Sequence, residues 1–199
     1  MNKSSFYTIK EFDKKDISQI SKIHKKSLPN DFCSILGTSF LKNNFYKEII
    51  NDKSAIKLCI EKDNIIYGFI IFINDKKYLS KIVYKHFFHL IYYSIKNIYK
   101  VSFILYLFDV IKIVYLKKNF KYENGYELSY VAVKEIARKN GLGSMLIKKG
   151  LENIIKNQNS QFCWVKTLTK TKETIIFYEK LGFEKYHQFL ERTYLYKVL

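Results

Sequence analysis

The seven residues Arg138-Lys139-Asn140-Gly141-Leu142-Gly143-Ser144 stand between a run that reads as a strand and one that reads as a helix. A helix start offers backbone N–H groups without intrahelical acceptors and the positive end of the peptide dipoles, which together make an anion site. Glycines let a ligand approach backbone that a Cβ would block. The run is not the dinucleotide fingerprint, because Met145 and Leu146 follow where a third glycine belongs. It is not a P-loop either, since no Gly-Lys-Ser/Thr closes it. Pyrophosphate binding is the natural use of such a bend. Other chemistry is sparse. Cys33, Cys59 and Cys163 are scattered, with no Cys-x-x-Cys pair and no Cys/His cluster at zinc spacing. Neither a disulfide framework nor a metal site is expected. No nucleophile–base triad stands out, and His24, at a helix position facing the sheet, reads as a core histidine.

Periodicity supplies the elements that must hold this bend. Ile17, Ile20, Ile23 and Leu28 predict a helix over 16–28, with Asp16 as N-cap and Pro29 as its stop. A second helix is predicted over Thr38–Ile50. The apolar runs Ala55–Glu61 and Ile65–Ile73, split by Lys62-Asp63-Asn64, read as a β-hairpin. Glu127–Val133 reads as the strand before the bend and Gly143–Asn157 as the helix after it, with Leu146, Ile147, Leu151, Ile154 and Ile155 on one face. A strand over Gln161–Leu168, a helix over Thr171–Leu181 ending at Gly182, and a strand pair over 183–198 complete the order αα-βββ-α-β-α-ββ. That order predicts an α/β domain around one mixed sheet, spanning 1–199. Residues 76–124 do not fit this spacing of short connections. They carry ten lysines against Asp109 and Glu123. Lys81, Lys85, His89, Lys96 and Lys100 fall within about 100° on a helical wheel. A basic amphipathic helical insertion is expected there, serving as cover, lid or membrane contact.

The run VAVKEIARKNGLGSMLIKKGLENI resembles motif A of the GNAT superfamily of acyl-CoA N-acyltransferases, with Arg138, Gly141 and Gly143 at its three defining positions. Downstream, Ile176–Phe183 resembles that superfamily's FYEKLGF helix–strand junction. HKKSLP and LGTSFL resemble the N-terminal helices of members common in bacterial surface-polysaccharide gene sets. The likeness covers about residues 6–75 and 126–198. It implies a mostly antiparallel sheet flanked by helices, with the insertion between the third and fourth strands, and acetyl-CoA as co-substrate. By the same analogy the backbone from Arg138 through Lys139, Asn140, Gly141, Leu142, Gly143 and Ser144 holds the pyrophosphate. Val131, Ala132 and Val133 would line the pantetheine arm and polarise the thioester carbonyl. Direct attack by an amine follows, with Tyr178 returning a proton to the thiolate and Glu127 taking one from the amine. Thr171 stands where many members have Asn, and Thr174 where they have Ala. A Thr171 hydroxyl can still donate to the cofactor arm.

Charge narrows the partners. Among 199 residues, 35 Lys+Arg oppose 18 Asp+Glu, a net charge of +17. Only Arg138 and Arg192 are arginine, and arginine is the usual reader of guanine and phosphate, so a nucleic-acid partner is not expected. The resemblance at the N-terminus, with a basic insertion that suits an anionic substrate, implies a small amine acceptor, first a nucleotide-linked amino sugar, then a peptide amine or polyamine, although the charge repels polyamines. A non-catalytic acyl-CoA-binding or membrane-surface protein on the same fold is the competing reading. No signal-peptide pattern opens the chain, and its longest apolar stretch, Val101–Leu116, is broken by Asp109 and Lys112. A cytoplasmic protein, with peripheral membrane contact through 79–118, is the expectation.

Overall fold

The computed structural model describes residues 7–74, 81–82, 85–88, 91–92, 95, 125–157 and 160–199. Seven strands form one sheet: β1 (Thr8–Glu11), β2 (Ile56–Lys62), β3 (Ile65–Ile73), β4 (Tyr126–Val133), β5 (Phe162–Leu168), β6 (Glu184–Phe189) and β7 (Arg192–Val198). They lie in the order β1-β2-β3-β4-β5-β7-β6. All neighbours are antiparallel except β4 and β5, which run parallel. The mixed, mostly antiparallel sheet flanked by helices is as the sequence predicts. The β2–β3 turn is set by Asp63 and Asn64, at φ 52° and 61°, left-handed values that short polar side chains tolerate and that match strand twist.

The helices divide between the two faces. On one lie α1 (Ile17–Ser27), α2 (Phe32–Leu36), α3 (Thr38–Phe40) and α4 (Tyr46–Asn51). Their apolar side chains meet Phe69, Ile71, Ile73 and Ala132. On the other lie α5 (Leu142–Asn157) and α6 (Lys172–Glu179), whose Leu146, Ile147, Ile154, Ile175 and Tyr178 meet Ile70, Phe72, Leu128 and Val165. Alternation along β3 explains both cores, since Phe69 and Ile71 point one way and Ile70 and Phe72 the other. Gly150 lets α5 sit directly on the sheet, because a Cβ there would collide with the Phe72 ring.

Four details differ from the sequence reading. Strand β1 adds a seventh strand, pairing Thr8–Glu11 with Glu61–Leu58; four residues at an edge, none of them buried, carry no periodic signal. Helix α2 was not foreseen; its five residues are too few for a period, and its Asp31 cap accepts from the Cys33 and Ser34 N–H groups. The single helix predicted over Thr38–Ile50 contains a π turn at Leu41–Phe45, which periodicity alone does not resolve. Asp16 precedes α1 as expected but makes no side-chain cap; its carboxylate instead accepts from the Asp13 N–H and pairs with Lys10. Most of the predicted 76–124 insertion lies outside the described residues, as do His89, Lys96 and Lys100 of its lysine-rich face.

Candidate functional site

Strands β4 and β5 pair only at Tyr126–Cys163 and Glu127–Trp164. Beyond Glu127, β4 continues to Val133 beside β3, while β5 continues to Leu168 beside β7. The parallel pair therefore opens, leaving a wedge between Leu128–Val133 and Val165–Leu168. The crevice outside parting parallel strands is the usual ligand position in open α/β sheets. The open edge of β4 can be read by alternation. The Lys134 N–H donates to the Tyr67 carbonyl across β3, so the amides of Val133 and Val131 face the wedge while that of Ala132 faces β3. Of Val131, Ala132 and Val133, two turn their amides toward the wedge.

At the mouth of the wedge the chain passes through a 3-10 turn, Glu135–Ala137, and the glycine bend. Lys139 and Gly141 take left-handed φ values of 65° and 75°. The first backbone bond of α5 runs from the Met145 N–H to the Gly141 carbonyl. The N–H groups of Leu142, Gly143 and Ser144 are thereby left at the helix start without an intrahelical acceptor. A Cβ at Gly143 would come no nearer than 3.6 Å to the Phe177 ring tip and 3.9 Å to Val133. No protein packing demands glycine at that position. The space above it fits a bound group, and a phosphate-bearing ligand suits the free amides. Arg138 is exposed, and its Nε donates to the Val133 carbonyl at 3.3 Å, which draws the guanidinium back over the wedge. Lys139 and Asn140 are exposed in the bend.

The closed end holds the titratable groups. Glu127, on the α1 face of β4, accepts an ion pair from Lys166 Nζ at 2.7 Å. Lys166 also lies 5.5 Å over the Trp164 ring. Tyr178, on the α5 face, is 4% exposed and packs against Phe177 and Phe183. Burial raises its phenol well above the ordinary value, with the neighbouring Cys163 thiol adding to the effect. No described residue hydrogen-bonds its hydroxyl. Cys163 is opposite Tyr126, one position before the last pair Glu127–Trp164, so Tyr178 and Glu127 flank the same apex from opposite faces of the sheet.

Thr171 lies at the start of α6, where its hydroxyl donates to the Leu168 carbonyl at 2.6 Å and meets the Thr167 hydroxyl at 3.2 Å. His24 is fully buried, with Nδ1 2.8 Å from the Tyr46 hydroxyl and Nε2 3.1 Å from Asp31, a satisfied core histidine. Among the described residues no group of three or more His, Cys, Asp or Glu could hold a metal ion. Sequence reasoning missed Lys166. It shares the Trp164 face of β5, and only the pairing with β4 turns that face toward Glu127.

Residues 104–185 match the model of the acetyltransferase (GNAT) domain. No curated protein matches the sequence. Solved structures do match over nearly the whole chain. The PaiA N-acetyltransferase from Thermoplasma acidophilum, in complex with coenzyme A, is similar with a TM-score of 0.62 at 14% identity, covering 98% of this chain and 99% of that one. A GNAT-family acetyltransferase from Streptococcus pneumoniae gives 0.60 at 15%, covering 98% and 100%. A ribosomal-protein-alanine N-acetyltransferase from Brucella melitensis gives 0.61 at 14%, covering 96% and 99%. At these identities the likeness is one of fold. The segment similar to the GNAT acetyltransferase domain spans the bend, α5, β5 and α6, and the fold is shared with these structures from end to end.

Proposed function

We propose that this protein transfers an acetyl group from acetyl-CoA to a primary amine by direct attack within a ternary complex. The observation that carries the reading is the wedge between β4 and β5, with free α5 amides at its mouth and a carboxylate and a phenol at its apex. Acetyl-CoA supplies an acetyl group activated as a thioester. The Leu142, Gly143 and Ser144 amides, with Arg138, Lys139, Asn140 and the Gly141 bend, would hold its pyrophosphate. The Val131 and Val133 amides would bond the pantetheine arm and polarise the carbonyl; Ala132 fixes their register by pairing with Phe69. From Val133 to Glu127 is about 20 Å at strand rise, comparable with the reach of an extended pantetheine arm.

In the transfer the amine nitrogen bonds the carbonyl carbon and the carbon–sulfur bond breaks. One proton leaves the ammonium for Glu127 before attack; a second leaves the nitrogen as the carbon–sulfur bond breaks and replaces the one that Tyr178 gives to the sulfur. A phenol whose proton is held more tightly by burial is a donor rather than a base at neutral pH. The ammonium of an arriving acceptor can take the place of Lys166 beside Glu127. Thr171, with its proton committed to Leu168, would offer the cofactor arm an oxygen acceptor unless that bond reorients. The acceptor we favour is a nucleotide-linked amino sugar, since an anionic substrate suits a chain of net charge +17.

The test is release of free thiol from acetyl-CoA against a panel of amino sugars, their nucleotide conjugates, peptide amines and polyamines. Turnover with an amino-sugar nucleotide is the expected outcome. Saturable acetyl-CoA binding with no turnover on any amine overturns the catalytic reading.

A further inference from the structure

Between β3 and β4, the described residues Lys81, Ile82, Lys85, Phe87, Phe88, Ile91, Tyr92 and Ile95 are helical. The start of this segment is fastened to the body. Ile82 is buried in the core under α1 and α4. Lys85 Nζ and His86 Nε2 reach the two oxygens of Glu48 on α4, at 2.9 and 3.2 Å. His86 Nδ1 lies 3.0 Å from the Asn44 amide in the π turn. Beyond this anchor the side chains reverse the usual pattern. Phe88, Ile91, Tyr92 and Ile95 follow the i, i+3, i+4, i+7 spacing of one helix face, and they are 82%, 41%, 62% and 66% exposed. Phe87 is exposed beside Phe88, the two rings 5.7 Å apart.

A stripe of large apolar side chains turned to water beside an anchored segment is unfavourable for a free surface. Something apolar must cover it at some stage of the protein's work. The charge of the segment's sequence selects the kind of cover. Residues 76–124 hold ten lysines and two acids, and aromatic and aliphatic side chains flanked by lysines suit the boundary of an anionic bilayer. We propose that this stripe docks the protein on an anionic membrane surface, with Phe88, Ile91, Tyr92 and Ile95 entering the headgroup–acyl boundary and the lysines meeting lipid phosphates. A second copy of this chain would bring like charges together and so fits less well.

The experiment is co-sedimentation of the full-length protein with vesicles of phosphatidylcholine alone and with roughly a third phosphatidylglycerol. Binding to the anionic vesicles is expected at low salt, weakening as salt is raised and at least about tenfold poorer without phosphatidylglycerol. The double substitution Phe88→Asp, Ile91→Asp, at exposed positions, is expected to lower vesicle binding by about tenfold or more. Its calorimetric affinity for acetyl-CoA and its circular dichroism are expected to stay unchanged, which separates lost docking from lost folding. No sedimentation with anionic vesicles, or undiminished binding by the double variant, overturns the proposal. So does a wild-type dimer in solution that the double variant abolishes, which would make the stripe an interface between copies. None of these outcomes bears on whether the wedge performs acetyl transfer.

Discussion

The two ends of the β4–β5 wedge are built from opposite principles. At the closed end every strand position is paired and the functional groups are packed or matched: Glu127 with Lys166, Tyr178 among Phe177, Phe183 and the Cys163 thiol. At the open end the backbone is left unpaired and the surroundings are exposed, from the outward amides of Val131 and Val133 to the N–H groups at the start of α5. Polar groups left without protein partners are stable only where water or a ligand meets them. On the proposed function the open end binds and the closed end moves protons, a division achieved by letting two strands part after two residues of pairing.

Substitution at the closed end should break catalysis without touching affinity. Tyr178→Phe keeps the ring in its pocket and removes only the hydroxyl, so kcat is expected to fall by about 10²- to 10⁴-fold while calorimetric acetyl-CoA affinity stays level. A variant that loses affinity and retains kcat would reverse the assignment of the two ends. At the open end, Gly143→Val puts a branched side chain into the space over the free amides. Acetyl-CoA affinity is expected to fall by roughly tenfold to a hundredfold, on the scale of one or two lost hydrogen bonds to a charged group. Thermal stability should change little, since the added Cβ meets the protein only at ordinary contact distance. Unchanged affinity would remove the pyrophosphate from this bend.

The smallest effect concerns pH. Burial raises the Tyr126 and Tyr178 phenols and the Cys163 thiol, all at the closed end. Cys59, in the core under α1, is raised to about 12. The folded protein holds these protons more tightly than the unfolded chain. Stability should therefore be level below the ordinary thiol value of 9.0 and fall as pH climbs past it and past the phenol value of 10.0. Urea unfolding at rising pH should show this decline. Amide exchange at alkaline pH should show added opening around Cys163 before the Gly141 bend, and a bend that opens first would contradict the division of roles.

What the sequence made legible was whatever local physics decides. The bend was visible because glycine, a strand run and a helix run are adjacent in the chain. The β2–β3 hairpin was visible because Asp63 and Asn64 separate two apolar runs. The wedge itself was not, since parting strands are a matter of which residues pair thirty-odd positions apart, from Tyr126 to Cys163. The Glu127–Lys166 pair depends on that same register. The His24–Asp31–Tyr46 network needs three helical segments brought together, and only the histidine's burial could be anticipated from its helix face. The helix was legible from Thr171 onward, one residue ahead of where α6 starts, but the bond of Thr171 to Leu168 is a property of the turn.

Gly150 stands two turns into α5, where the helix rests on the ring of Phe72 with no room for another atom. Phe72 belongs to β3, which is zipped to β4 along the flank of the wedge. The start of α5 and strand β4 are consequently bolted to one another through a single aromatic plate. A side chain at 150 would jack the helix upward and carry its free amides away from Val133, detuning a cavity it never borders.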